Sequence, residues 1–254
     1  MEQRERREYL IDYLLEEGGY TDKPPKSEEG QRKLLRALFN VRLPQKASEE
    51  FLRVQDEYLG EEIGEKGITD ADSFDYKDGM ALWRGDITTL KADGIVNAAN
   101  SRMLGCFVPG HHCIDNAIHT FAGIELRNEC ADIMRRQGYE EPTGKAKITG
   151  AYNLPCKYVL HTVGPVACGG LTAENERDLA SCYQSCLALA DEKGLKSLAF
   201  CCISTGVFGF PNARAAEIAV KTVREYLERT GSKIKVVFDV FKENDYEFYR
   251  RLLG

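Results

Sequence analysis

Residues 197–220 read SLAFCCISTGVFGFPNARAAEIAV, and three regimes follow one another within them. Ser197–Ile203 is a short apolar run with the pattern of a buried strand. From Asn212 a helical pattern extends to Arg229. Between them stands Ser204-Thr205-Gly206-Val207-Phe208-Gly209-Phe210-Pro211. Gly206 and Gly209 let backbone N–H groups approach a ligand closely, and Pro211, with its preset φ, suits the first turn of the helix whose positive end follows. Such a loop can cradle a diphosphate. Strand-to-helix turns also need glycine for geometry alone, so the loop gains meaning only in company.

Working outward, strand-like runs occur at Met80–Trp83, Gly94–Val96, Lys147–Tyr152, Tyr158–Thr162 and Ile234–Val240, with helical patterns at Ile114–Gln137, Ala173–Lys193 and Asn244–Leu253. Alternation of this kind predicts a mostly parallel or mixed sheet covered by helices on both faces, with ligands at the carboxyl ends of the strands. Two further strand ends carry polar text: Trp83-Arg84-Gly85-Asp86-Ile87-Thr88 and Asn97-Ala98-Ala99-Asn100.

The 254 residues are 43% hydrophobic and 29% charged, which excludes disordered, collagen-like and coiled-coil classes. The net charge of −6 is uneven: residues 1–80 hold 13 basic and 20 acidic side chains, residues 81–254 hold 21 and 20. All nine cysteines follow residue 100. Two units are therefore expected, with Gly60–Gly79 as connector. In the first, Tyr9, Leu10, Tyr13 and Leu14, then Leu34, Leu35, Leu38 and Phe39, then Phe51, Leu52, Tyr58 and Leu59 recur at helical spacing. Ser27 and Ser48, each followed by two glutamates, suit N-caps. Three short amphipathic helices should pack on the second unit as a structural appendage, and no chemistry is evident in them. Residues 1–20 contain no apolar leader core, and no stretch reaches the roughly 18 apolar residues of a membrane span. The expectation is a cytoplasmic protein with reduced cysteines and no membrane partner. No basic helix or aromatic platform suggests nucleic acid.

WRGDITTLKADGIVNAAN (83–100), LGCFVPGHHCIDNAIHTFAG (104–123), YVLHTVGP (158–165) and ISTGVFGFP (203–211) together resemble the macrodomain family of ADP-ribose-binding modules, over about residues 80–254. The resemblance implies a three-layer α/β/α fold with a central mixed sheet over residues 77–254, plus a helical extension over 1–76. It also implies roles. Asp86 would accept a hydrogen bond from the adenine amino group, beside the backbone N–H of Ile87. Ser204, Thr205, Gly206, Val207 and Phe208 would wrap the diphosphate, with Phe208 over the distal ribose and Phe241 near the adenine. Asn100 would hold the distal ribose hydroxyls, while Asn97 ties the loop together. Asp86 could instead be a simple turn cap, and the asparagines simple turn formers.

Where many macrodomains carry a run of glycines, this chain has Leu104-Gly105-Cys106-Phe107-Val108-Pro109-Gly110-His111-His112-Cys113-Ile114-Asp115-Asn116. Two thiols and two imidazoles within eight residues suit zinc, whose catalytic sites use three protein ligands and an open position. Cys106 and Cys113 are candidates. In extended chain, side chains two apart share a side, so His111 should face the metal with Cys113, and His112 is the alternative. The resemblance agrees, since a zinc-dependent macrodomain branch with N-terminal helical extensions is known beside sirtuin-like ADP-ribosyltransferases. Its members resemble hydrolases that remove ADP-ribose from proteins.

The expected function is zinc-dependent release of ADP-ribose from modified side chains, most plausibly Asp or Glu. Asp115 would orient or deprotonate a water or a ribose hydroxyl, unless it only caps the following helix, and Asn100 would fix the sugar. ADP-ribosylated protein and ADP-ribose are the expected partners, with a functional link to a sirtuin-like transferase. A reader that binds without cutting, and an O-acetyl-ADP-ribose deacetylase, are alternatives. Cys182, Cys186, Cys201 and Cys202 read as core residues, His119 and His161 as structural, and Cys168 lies on a loop that could approach the site.

Overall fold

A computed structural model describes residues 1–254. Three helices come first: α1 (Gln3–Gly18), α2 (Glu28–Val41) and α3 (Glu49–Lys66). Ser27 and Ser48 cap α2 and α3 as the sequence predicts, their hydroxyls accepting from the backbone N–H groups of Gly30 and Phe51. The α/β unit then runs β1 (Thr69–Asp70), β2 (Met80–Arg84), β3 (Leu90–Lys91), β4 (Gly94–Ala99), α4 (Ile114–Ala122), α5 (Ile124–Gln137), β5 (Ala146–Gly150) and β6 (Tyr158–Val163). It closes with α6 (Ala173–Glu192), β7 (Ser197–Phe200), α7 (Asn212–Thr230), β8 (Lys235–Val240) and α8 (Glu243–Leu253).

Six strands form one sheet in the order β2-β8-β7-β4-β6-β5, parallel except for β5 against β6, while β1 and β3 make a small parallel pair. Ile95, Val96, Val159, Leu160, Leu198, Ala199, Val236 and Val237 are all 0% exposed, because helices cover both faces of the central strands. From β4 the chain moves on to β6, and from β7 to β8 on the other side. The connections part between these two adjacent strands, which is where open α/β sheets leave a crevice outside the strands' carboxyl ends.

Two sequence expectations need correction. The helix expected over Ile114–Gln137 is two helices, broken at Gly123, whose φ is +94°. There the Gln55 side chain of α3 lies 2.7 Å from where a Cβ would stand, and its Oε1 accepts from the Ile124 N–H at 2.9 Å. The stretch Gly60–Gly79 is not a free connector. α3 continues through it to Lys66, since Gly60 and Gly64 face open space, while Ile63 and Ala71 enter the main core and β1 pairs with β3.

The N-terminal helices build a second core from Leu10, Ile11, Leu35, Phe51 and Val54, closed by Ile124 of α5, and Phe121 of α4 packs against both cores. Isolated helices of 14 to 18 residues are marginal in water. Each side chain buried in this way contributes roughly 1.5–3 kcal/mol relative to exposure, so the three helices are held by packing. No helix of the chain is long and apolar enough to cross a membrane.

Candidate active site

The segment after β4 folds over the crevice and brings Cys106, His111 and Cys113 together, with their ligand atoms within 4.8 Å of one another. Val108-Pro109-Gly110-His111 forms a turn in which the His111 N–H donates to the Val108 carbonyl at 3.2 Å. Proline stands second and left-handed Gly110 (φ +64°) third, the sequence signature of a type II turn, and this turn aims the His111 ring back at Cys106. The Cys106 Sγ and His111 Nδ1 atoms are 3.5 Å apart. Tetrahedral zinc, with bonds of about 2.3 Å to sulfur and 2.0–2.1 Å to nitrogen, needs an edge of about 3.5 Å there. His112 is exposed and outside the cluster, so the structure groups His111 and not His112 with the two thiols.

Cys113 is the N-cap of α4, its sulfur accepting from the Asn116 N–H at 3.4 Å. Burial pushes its thiol up to about 12, against the pull of that N–H. Asp115 is therefore not the cap, and the capping role considered for it falls to Cys113. Asp115 instead lies in the first helical turn, 5% exposed, and its Oδ1 accepts from Asn97 Nδ2 at 2.8 Å while Oδ2 accepts from Asn100 Nδ2 at 3.3 Å. Burial raises its pKa to about 6, opposed by the Asn97 hydrogen bond, the Arg127 charge and the Asn100 hydrogen bond. Asn97, expected to tie the loop together, ties β4 to α4 instead.

Behind this pair the polar network continues. Asn97 Nδ2 also meets His161 Nδ1 at 3.1 Å, which must accept, and this leaves the His161 Nε2–H for Thr149 Oγ1 at 2.9 Å. Burial holds His161 down to about 3, so the ring is neutral. His119 is also buried and kept neutral, and neither of its ring nitrogens has a hydrogen-bond partner. Both histidines are buried in the helix and strand that frame the site, and one ring nitrogen of each lies with the Cys130 sulfur in a group of atoms within 4.8 Å of one another. Cys130, Cys156, Cys182, Cys186 and Cys201 are buried free thiols. Cys168 is exposed and donates to the Val207 carbonyl at 3.2 Å, placing it against the glycine loop.

Across the crevice, the loop after β7 begins with Ser204, buried and forced to φ +64°. Thr205, Gly209 and Phe210 donate their backbone N–H groups within the loop, whereas those of Gly206, Val207 and Phe208 have no partner in the chain. Three consecutive free amides at the mouth of a crevice, just before α7, form an anion cradle. The Phe208 carbonyl accepts from the Ala167 N–H at 2.7 Å, which fixes the far lip.

Asp86 stands at the carboxyl end of β2. It caps the turn Ile87–Thr89, accepting from the Thr88 N–H and hydroxyl, so the capping role considered for it is real. One oxygen also takes Lys66 Nζ at 2.9 Å. Burial works against its charge, but the Thr88 and Lys66 hydrogen bonds outweigh burial and hold its pKa below the usual carboxylate range. Ile87 is buried. Phe241, just beyond β8, is 80% exposed and free to cover a planar ligand.

The sequence reading missed the contribution of the N-terminal helices. Arg36 of α2 donates to the His111 carbonyl at 3.1 Å and through Nε and Nη2 to Asn116 Oδ1 at 3.2 and 2.9 Å. Asn40, one turn on, accepts from the Gly110 N–H at 2.9 Å. Lys66, besides its Asp86 contact, lies 3.2 Å over the Phe121 ring. The sequence reading had these amphipathic helices packing on the second unit but found no chemistry in them.

A mixed α/β sheet with an anion cradle on one lip of its crevice and a thiol–imidazole cluster on the other defines a protein built to take an anionic ligand at the strands' carboxyl ends. The Macro domain pattern matches residues 96–219. A protein-ADP-ribose hydrolase of Treponema medium is 56% identical over 261 residues, covering 100% of both chains. One from Staphylococcus aureus (strain MRSA252) is 50% identical over 252 residues, 96% of this chain and 94% of that one. The Trypanosoma brucei macrodomain in complex with ADP superposes with a TM-score of 0.67 at 33% identity, covering 86% of this chain and 96% of that one. The Oceanobacillus iheyensis macrodomain with ADP gives 0.61 at 38%, covering 68% and 88%. The chain belongs to the Macro domain family.

Proposed function

We propose that this chain is a zinc-dependent protein-ADP-ribose hydrolase that releases mono-ADP-ribose from acidic side chains. The observation that carries the reading is the convergence of Cys106, His111 and Cys113 beside Asn100 and Asp115 at the β4 end, opposite the free amides of Gly206–Phe208. Similarity to protein-ADP-ribose hydrolases along the whole chain supports the activity.

The amides of Gly206, Val207 and Phe208 bind the diphosphate, Asp86 and Ile87 take the adenine edge, and Phe241 covers its face. The distal ribose then points toward Asn100. Cys106, His111 and Cys113 would hold the metal, two soft thiolates and one imidazole being a donor set zinc prefers. Bound there, zinc supplies Lewis-acid polarisation at the distal ribose. Water attacks the anomeric carbon, the bond from that carbon to the carboxylate oxygen breaks, the side chain leaves as a carboxylate, and the water's second proton passes to solvent. Of the two roles expected of Asp115, its burial and its two amide partners favour orientation: it holds the Asn100 amide, and Asn100 holds the sugar. The transferase that adds the modification, expected to be sirtuin-like, precedes this reaction.

The test is incubation of the protein, with and without a chelator, against proteins ADP-ribosylated on acidic, serine or arginine side chains. Release from the acidic class alone, lost on chelation and restored by zinc, is expected. Release that persists without metal would overturn the zinc role. Tight ADP-ribose binding with undiminished modified protein would make the chain a reader.

A further inference from the structure

We infer that the N-terminal helix α2 completes the metal site: Arg36 and Asn40 are positioning residues that hold the Cys106–Cys113 loop in its ligating shape. The inference rests on the zinc reading above and extends it to a part of the chain outside the macrodomain unit.

The two side chains lie four residues apart on α2 and so share one face, which packs against α4 and the loop. Arg36 grips the segment where the loop runs into α4. Its guanidinium donates to the His111 carbonyl, on the residue that supplies the imidazole, and to the Asn116 side-chain oxygen. Asn116 passes the constraint on. Its Nδ2 donates to the Val108 carbonyl at 3.1 Å and the Cys106 carbonyl at 3.5 Å, while its backbone N–H meets the Cys113 sulfur. All three ligand residues are thus within one or two hydrogen bonds of one arginine. Asn40, 1% exposed, fixes the turn between them by accepting from Gly110, and its Nδ2 donates to Thr120 Oγ1 at 3.0 Å. Without α2, Gly110 would lose its Asn40 partner, and the loop would keep only the side-chain hydrogen bonds from Asn100, α4 and α5.

Groups that orient metal ligands are worth about 10- to 100-fold in metal affinity. The experiment uses the full chain and two probes: zinc, by competition with a chromophoric chelator, and ADP, by calorimetry, which reads the diphosphate and adenine contacts and not the Cys–His loop. The Arg36→Gln/Asn40→Ala double variant is expected to bind ADP as the wild type does and zinc about 10- to 100-fold more weakly. Lys33→Ala, which removes an exposed pair with Glu29 on the same helix, is expected to leave both unchanged. A double variant with wild-type affinity for both probes overturns the inference. Wild-type protein without zinc affinity overturns the metal reading itself, and this failure shows before any substitution is made. Should the double variant lose ADP binding as well, Arg36→Lys decides. It keeps the charge but not the two-pronged fork on Asn116, so zinc affinity should fall severalfold, and an unchanged value overturns the inference.

Discussion

The two lips of the crevice are built in opposite ways. The glycine loop 204–211 is held by its own backbone and by contacts from the neighbouring residues Ala167 and Cys168, and it leaves three N–H groups unpaired. The Cys–His loop 104–113 is tied down by side chains from elsewhere: Arg127 of α5 donates to the Leu104 carbonyl at 2.8 Å, Asn116 holds Cys106 and Val108, and α2 supplies Arg36 and Asn40. A loop that binds an anion through its backbone needs donors left free and a fixed shape, which left-handed φ values at Ser204, where they cost strain, and at Gly209, where they do not, provide. A loop that presents side chains to a metal needs three of them aimed at one point, and for a segment without regular structure that aim has to come from outside.

If the lips act separately, a lesion in one should spare the binding done by the other. The largest effect is expected from Cys113→Ala. It removes a proposed zinc ligand and the α4 cap together, so on the zinc reading metal binding should be lost and ADP-ribose release should fall about a hundredfold or more, the worth of several kcal/mol of metal polarisation. ADP affinity should stay within about twofold, and a large loss there would show that the lips are not independent.

Next in size is Gly209→Val on the opposite lip. Gly209 has φ +68°, and a Cβ there would stand 3.0 Å from Cys168 Sγ. A branched side chain at such a φ costs roughly 1–3 kcal/mol, so ADP affinity should weaken about tenfold while zinc affinity holds. Calorimetry with the two probes separates the outcomes, and a zinc defect would contradict the comparison.

Asp115→Asn comes third and lies between the lips. An amide can no longer accept on both sides, so Asn97 or Asn100 loses its partner. Release should fall about tenfold, the effect of misplacing one sugar-holding group, with zinc and ADP affinities kept. A variant as active as the wild type would remove Asp115 from the proposed machinery.

The same contrast explains what the sequence disclosed. The cradle was legible because its information is local: glycine, proline and a strand-to-helix step lie within eight residues, and the structure puts free amides there. The grouping of His111 rather than His112 with Cys113 was legible too, since alternation along extended chain is a local rule. The support of the metal loop was not. Arg36 and Asn116 are 80 residues apart, Asn40 and Gly110 are 70, and nothing in the composition of α2 distinguishes a side chain that reaches a loop from one that reaches water. The break at Gly123 escaped for the same reason, because its cause is Gln55 on another helix. Strands and helices of the main sheet were readable from apolar runs and helical spacing, but the continuation of α3 through two glycines was not, since those glycines face open space.

The smallest effect concerns the buried floor beneath the metal loop. His119 packs against Gly105 with both ring nitrogens unpaired, next to a small cleft lined by Phe39, Arg42 and Arg127. An unsatisfied buried polar group costs about 1–3 kcal/mol, so His119→Phe should raise stability by about 1 kcal/mol, or about 2–4 °C in Tm. Its pH signature follows from burial. His119 and His161 are held neutral in the native state while the unfolded chain protonates both below about 6.5, so stability is full above that pH and declines as pH falls. Each histidine steepens the decline by up to about 1.4 kcal/mol per pH unit. Asp115 acts in the opposite sense below about 6, where the native state takes up its proton first, and offsets one of the two until about 3.9, where the unfolded chain follows. His119→Phe should therefore flatten the loss between pH 6.5 and 4 by about one proton's worth in denaturant titrations, and an unchanged slope would mean that the ring is protonated in the folded protein.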